Sequence, residues 1–182
     1  QEKLTECGHA GFGLDYGFGG DPNAFVALAI DPKSKNIWIY DEMYTYHQTT
    51  PHIAEWLKKN GYQHANIYAD SASPERTQQL LDLDIDNIQS VVKTPIEAGI
   101  DQLWQYKIHV HPKCKNIWNE FNNYVFDTDN IGNTLNRPKD ENNHAIDALR
   151  YSVRQYMDMY DGSMGVDWGN QYHIAREMGL DI

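Results

Sequence analysis

The run Asn23 to Ile30, NAFVALAI, is apolar at every position after the first. A strand with one wet face alternates; an unbroken apolar run of this length reads as a strand buried on both faces. A polar turn, Asp31-Pro-Lys-Ser-Lys, separates it from Asn36–Tyr40 (NIWIY), so the two runs predict a hairpin. Upstream lies AGFGLDYGFGGDP, Ala10 to Pro22. Small and apolar residues carry a strand over Gly11–Asp15, which delivers a carboxylate and then breaks in Gly17, Gly19 and Gly20. The first three strands therefore predict an antiparallel meander.

From there helix and strand alternate. Thr49 or Thr50 caps a helix with Pro51 in its first turn, running through Ile53, Trp56 and Leu57 to Asn60-Gly61. Asn66–Asp70 is a short strand ending in a second carboxylate. Ser73-Pro74-Glu75 starts a helix with Leu80 and Leu81 inward, and Asn87–Val92 is a strand ending at Lys93. Pro95 opens a helix through Ile96, Ile100, Leu103 and Trp104. Lys107–Val110 is a brief strand, and Lys113–Tyr124 a helix with Ile117, Phe121 and Tyr124 on one face. Asp127–Glu141 is a loop or weak hairpin. Asn142 or Asn143 caps a last helix to about Met157. The expected fold class is α/β: a mixed sheet, antiparallel in its first three strands and parallel afterwards, with helices on both faces. Residues 1–157 form the expected domain, and 158–182, interrupted by glycines, a tail.

At 182 residues, with 41% hydrophobic and 23% charged side chains, one globular domain is expected and wholesale disorder is not. No apolar run approaches the roughly 20 residues that span a bilayer. Cys7 and Cys114 are too few for a disulfide framework, which favours a reducing compartment. A net charge of −11 argues against unaided nucleic-acid binding but not against a nuclease, whose aspartates repel phosphate until cations fill them.

Asp15 and Asp70 each end a predicted strand, where α/β sheets build sites. On the last helix His144, Asp147 and Tyr151 share a face by i, i+3 and i+4 spacing, while Ile146, Leu149 and Val153 pack. Convergence of Asp15, Asp70 and Asp147 predicts a metal centre, because gathered carboxylates need a neutralising cation and all-oxygen ligation suits Mg²⁺ or Mn²⁺. Two such ions can cleave a phosphodiester. Asp21 is a peripheral carboxylate, and His144 orients a ligand or carries a proton. Taken singly, each aspartate is as readily a turn, cap or solvated residue. His109, His111 and Cys114 lack a fourth zinc ligand and read as strand-end packing. Trp38, Tyr40, Tyr44 and Tyr46 read as a partly buried hairpin rather than a base-stacking platform, and Asp82, Asp84 and Asp86 as a solvated stretch.

The strings GLDYGFGGDP, YADSASPE and ENNHAIDALRY (Glu141 to Tyr151), in that order, resemble the nuclease domain of tailed-phage and prophage terminase large subunits. The resemblance runs from about Gly11 to Tyr156. It extends to the segment from Lys93 through Ile100 and to Cys114-Lys-Asn with Glu120. It implies a ribonuclease-H-like fold and a metal-dependent endonuclease. Such an enzyme cuts concatemeric double-stranded viral DNA when packaging starts and ends. It further implies Asp15, Asp70 and Asp147 as metal ligands, Asp21 and His144 near the metals, and Lys93 at phosphate. The implied partners are double-stranded DNA, the terminase small subunit, the portal protein of the procapsid and an ATPase domain of the same polypeptide. The implied setting is the host cytoplasm. No G-x-x-x-x-G-K-[ST] loop occurs in the chain. With Gln1 in place of Met, this predicts that the ATPase precedes the segment. The alternatives are a resolvase- or transposase-type nuclease of the same superfamily, an actin-like ATP-binding domain, and a non-catalytic acidic docking module.

Overall fold

A computed structural model describes residues 8–91, 95–124, 126–128, 134–138 and 143–160. Three strands open the chain: β1 (His9–Asp15), β2 (Pro22–Asp31) and β3 (Asn36–Tyr46). Then come α1 (Thr50–Lys59), β4 (Ile67–Asp70), α2 (Pro74–Asp82), β5 (Ile88–Val91), α3 (Ile96–Leu103), β6 (Lys107–Val110) and α4 (Lys115–Asn123). A small hairpin, β7 (Phe126–Thr128) and β8 (Thr134–Pro138), leads to α5 (His144–Tyr160). The main sheet has the order β5-β4-β1-β2-β3-β6. β1/β2 and β2/β3 are antiparallel, while β1/β4, β4/β5 and β3/β6 are parallel. This is the expected mixed sheet.

β2 sits centrally and feeds two cores. Ala24, Val26, Leu28 and Ile30 pack toward Ile100, Ile117 and Leu149, whereas Phe25 and Ala27 pack with Ile53, Leu57 and Leu80. Because a strand alternates its side chains, covering both faces demands apolar residues at every position. That is the physical origin of the unbroken run.

Several bounds and faces differ from expectation. β3 runs six residues past Tyr40 because its partner continues to Pro22, which pairs with Tyr46. Leu81, expected inward, is 37% exposed, since Thr77 and Leu80 define the buried side of α2. Trp104, expected with the α3 core residues, ends that helix and is exposed. Thr49 is the N-cap residue of α1, but its hydroxyl pairs with His52 Nδ1 at 2.7 Å instead of capping. Ile146, Leu149 and Val153 are buried as expected. Asp84 and Asp86 are solvent-facing and pair with Lys58 and His64. His109 stacks on Trp38 and shares a 3.0 Å hydrogen bond with Asn36, and Cys114 is buried, as the packing reading requires. Lys93 and the tail beyond Tyr160 lie outside the described residues.

Among those residues no helix is long and apolar enough to cross a membrane.

Candidate metal centre

The site begins with two glycines. On β1, Gly11, Gly13 and Asp15 share one side of the pleat, opposite Phe12 and Leu14 in the core. A Cβ on Gly13 would fall 1.8 Å from the Ala148 carbonyl oxygen, and one on Gly11 3.0 Å from that of Ser152. The backbone of α5 therefore lies directly on the strand. The contacts march in step: Gly11 to Ser152, Gly13 to Ala148, and Asp15 to His144, whose Nδ1 donates to Asp15 Oδ2 at 2.9 Å. Two strand residues advance about 6.6 Å. Four helical residues advance about 6.0 Å. The two repeats nearly match, so glycine contacts seat the helix and deliver His144 to Asp15.

β4 lies on the other side of β1. Leu14 pairs with Ala69, which sets Asp15 and Asp70 side by side at the ends of parallel strands, 6% and 7% exposed. Asp147 lies one helical step beyond His144, and Arg150 donates to its Oδ1 at 2.5 Å. Tyr151, one turn beyond Asp147 on α5, feels the charge of all three carboxylates. Burial raises its phenol well above the usual range, and the charges of Asp147, Asp15 and Asp70 raise it further. Asp21 approaches from the glycine turn, with Oδ1 3.8 Å from His144 Nε2. The hydrogen bond to Asp15 lifts the His144 pKa; burial opposes it, and the charges of Asp15, Asp21 and Glu120 add to it.

Asp15, Asp70, Asp147, Asp21 and His144 are thus gathered in one region. The donor set is all carboxylate oxygen, and two of its members are buried, which fits a hard divalent cation. Among the described residues no three such side chains already form a metal cage. Arg150 balances the charge of Asp147.

Three residues support the site; Glu42 and Arg76 carried no sequence signal, and Glu120 entered only through the resemblance, without a role. Glu42 on β3 caps α4: its Oε1 accepts from the Asn116 N–H at 2.9 Å and its Oε2 from the Ile117 N–H at 3.0 Å. Glu120 on α4 then caps α5, accepting from the Ile146 N–H at 2.9 Å and from Ala145. Both satisfy orphan donors of a helix end and complement its dipole. Arg76 on α2 ties down the turn after Asp15, donating to Gly17 O at 3.0 Å and Asn23 Oδ1 at 2.7 Å. A single glutamate or arginine on a strand or an amphipathic helix reads as an ordinary surface charge, so no local pattern marks these roles.

The sequence profile described as "Terminase RNAseH like domain" matches residues 15–155. The chain belongs to that family. It is 33% identical over 162 residues to the large terminase subunit of Bacillus phage SPP1, covering 86% of this chain and 38% of that protein. To the PBSX phage terminase large subunit of Bacillus subtilis it is 28% identical over 152 residues, covering 79% and 34%. The chain thus spans little more than a third of these terminases. The crystal structure of the SPP1 large terminase nuclease domain with bound Mn superposes with a TM-score of 0.79 at 32% identity, covering 86% of this chain and 91% of that one. The P22 large terminase nuclease domain shares the fold, with a TM-score of 0.60 at 16% identity, covering 84% and 82%.

Proposed function

We propose that this terminase domain is a divalent-metal-dependent endonuclease that cuts concatemeric double-stranded viral DNA at the start and end of genome packaging. The observation that carries the reading is the placement of Asp15 and Asp70 at the ends of adjacent parallel strands, with His144 bonded to Asp15, and with Asp147 one helical step further along α5. Similarity to the manganese-bound SPP1 nuclease domain supports the metal and the chemistry. Asp15, Asp70 and Asp147 would hold Mg²⁺ or Mn²⁺, two ions during catalysis. When bound, such ions supply positive charge for the phosphoryl transition state and lower the cost of deprotonating the attacking water.

The chain's own residues do the rest. His144 fixes the Asp15 carboxylate through its Nδ1–H, and its Nε2 faces Asp21, so it can hold a proton at the rim. Burial of Asp15 and Asp70 keeps water from competing for their oxygens. The Glu120 cap and the glycine contacts set the position of α5, and with it the reach of Asp147. Lys93 is assigned to a phosphate contact on family resemblance.

Packaging partners follow from the family: an ATPase domain of the same polypeptide, the terminase small subunit and the portal, in the host cytoplasm. The test is plasmid cleavage in Mn²⁺, Mg²⁺ or EDTA, beside Asp70→Asn. Cutting should need metal and fall at least about a hundredfold in the variant. Equal cutting by Asp70→Asn and wild type would sink the assignment.

A further inference from the structure

A cleft of about 330 Å³ opens beside the metal centre and shares Asp21 with it. Its walls are the glycine turn (Gly17, Asp21), the β3–α1 connection (His47, Gln48) and α2 (Arg76, Gln79). Asp21 is the one acidic side chain among the lining residues, in a chain with 26 acidic and 15 basic residues. The rest of the polar lining is neutral amides and hydroxyls, the His47 ring and one fixed cation, Arg76.

That cation is held in place before any ligand arrives. The Arg76 guanidinium lies 4.6 Å from the Tyr16 ring centroid and is pinned by Gly17 O, Asn23 Oδ1 and, at 3.4 Å, Thr50 Oγ1. Among the described residues three of the five N–H donors of its fork have partners, which leaves two. Asp15 lies near enough for its charge to act on the same guanidinium. His47, on the opposite wall, has φ 56°, a left-handed conformation that a non-glycine residue adopts at a cost and that tends to cluster at binding sites. A rigid guanidinium with two further N–H groups, the Gln48 and Gln79 amides in the same lining and the candidate metal centre next door match a phosphodiester oxygen pair.

We propose that this cleft binds a backbone phosphate of the DNA strand being cut, adjacent to the scissile one, with Arg76 as anchor and Gln48 and Gln79 at the rim. The proposal rests on the nuclease reading. It gives this acidic domain a contact with DNA that is not made through the metal.

Gln79 is the residue to change, because it is exposed and lines the cleft. Its neighbour Gln78 is also exposed, does not line the cleft and bonds Asp82 at 3.0 Å, so it serves as a control on the same helix. Binding of a fluorescein-labelled duplex is read by polarisation in Ca²⁺ across a series of salt concentrations. Gln79→Lys should tighten binding about three- to tenfold and steepen the salt slope by about one; Gln79→Glu should weaken it by a similar factor. Gln78→Lys and Gln78→Glu should move it less than about twofold. Equal responses at both positions, or none at Gln79, would overturn the proposal. Metal-dependent plasmid cutting by the same wild-type preparation separates the two levels. Cutting with a flat Gln79 response sinks the cleft alone, whereas neither cutting nor duplex binding sinks the nuclease reading and the cleft with it.

Discussion

Gly13→Ala is the substitution that most directly tests how the site is assembled. The added Cβ would stand 1.8 Å from Ala148 O and 2.8 Å from Ala148 C, where real contacts essentially never fall below 3.0 Å. Restoring 3.0 Å requires a movement of 3.0 − 1.8 = 1.2 Å. The obstacle is helix backbone, so no side-chain rotation relieves it, and α5 must lift off β1. Overpacking of this kind costs about 1–3 kcal/mol. For a domain of this size that is a fall in Tm of about 2–12 °C. Displacement by about an ångström at the chemistry costs on the order of a hundredfold in rate. Thermal unfolding and metal-dependent cleavage should be measured on Gly13→Ala, Gly11→Ala and Gly20→Ala together. Gly11 meets Ser152 O and a flexible Leu28 methyl at 3.0 Å, so its cost should be smaller. Gly20 meets nothing within 4 Å, so Gly20→Ala should not lower Tm and should raise it by about 1–4 °C. If Gly13→Ala melts and cuts like wild type, the seating of α5 through strand glycines is wrong.

Glu120→Ala should strip the cap from α5 and leave the buried Ile146 and Ala145 N–H groups unpaired, a loss of about 1.5–3 kcal/mol by urea unfolding. Burial raises the Glu120 pKa, while its N–H bonds and the nearby Tyr44 and His144 oppose the rise. The folded protein then holds a proton that the unfolded chain has already released. Its stability should therefore fall as pH climbs from the ordinary glutamate range through the raised value. Glu120→Gln should flatten that fall, and an unchanged urea-midpoint profile between about pH 4.5 and 7 would count against it. The Cys114 thiol is pushed up to about 12 by burial, with Glu42 and Asp41 adding to the rise. In a Cys7→Ser background a thiol reagent at pH 8 should label Cys114 only after denaturation, and rapid labelling of the native protein would refute its burial.

Local sequence patterns carried much of the architecture. The unbroken run in β2 announced a doubly covered strand, and turn residues and helical spacing located the elements that follow. Asp15 and Asp70 stood out as candidates because strand ends in such sheets are known site positions, and the fold does set them side by side. Asp147 and His144 stood out as candidates because their spacing puts them on one helix face and because their motif resembles a family, and the fold brings His144 to Asp15. What failed locally were faces and ends, such as Leu81 and the length of β3, where a partner element decides which positions it covers.

Sequence by itself determined the strand and helix periods, the breakers and the residue types able to bind a hard cation, since each is written within a few neighbouring positions. Only the tertiary structure decided the support of the site. His144 reaches Asp15 across 129 positions, Arg76 reaches Asn23 across 53, and Glu120 caps α5 across 26. A hydrogen bond across such separations leaves no periodic trace, because its partners meet only after the sheet and helices have packed. The glycines of β1 show the same division: the sequence displays two missing side chains, and the fold alone reveals that a helix occupies their place.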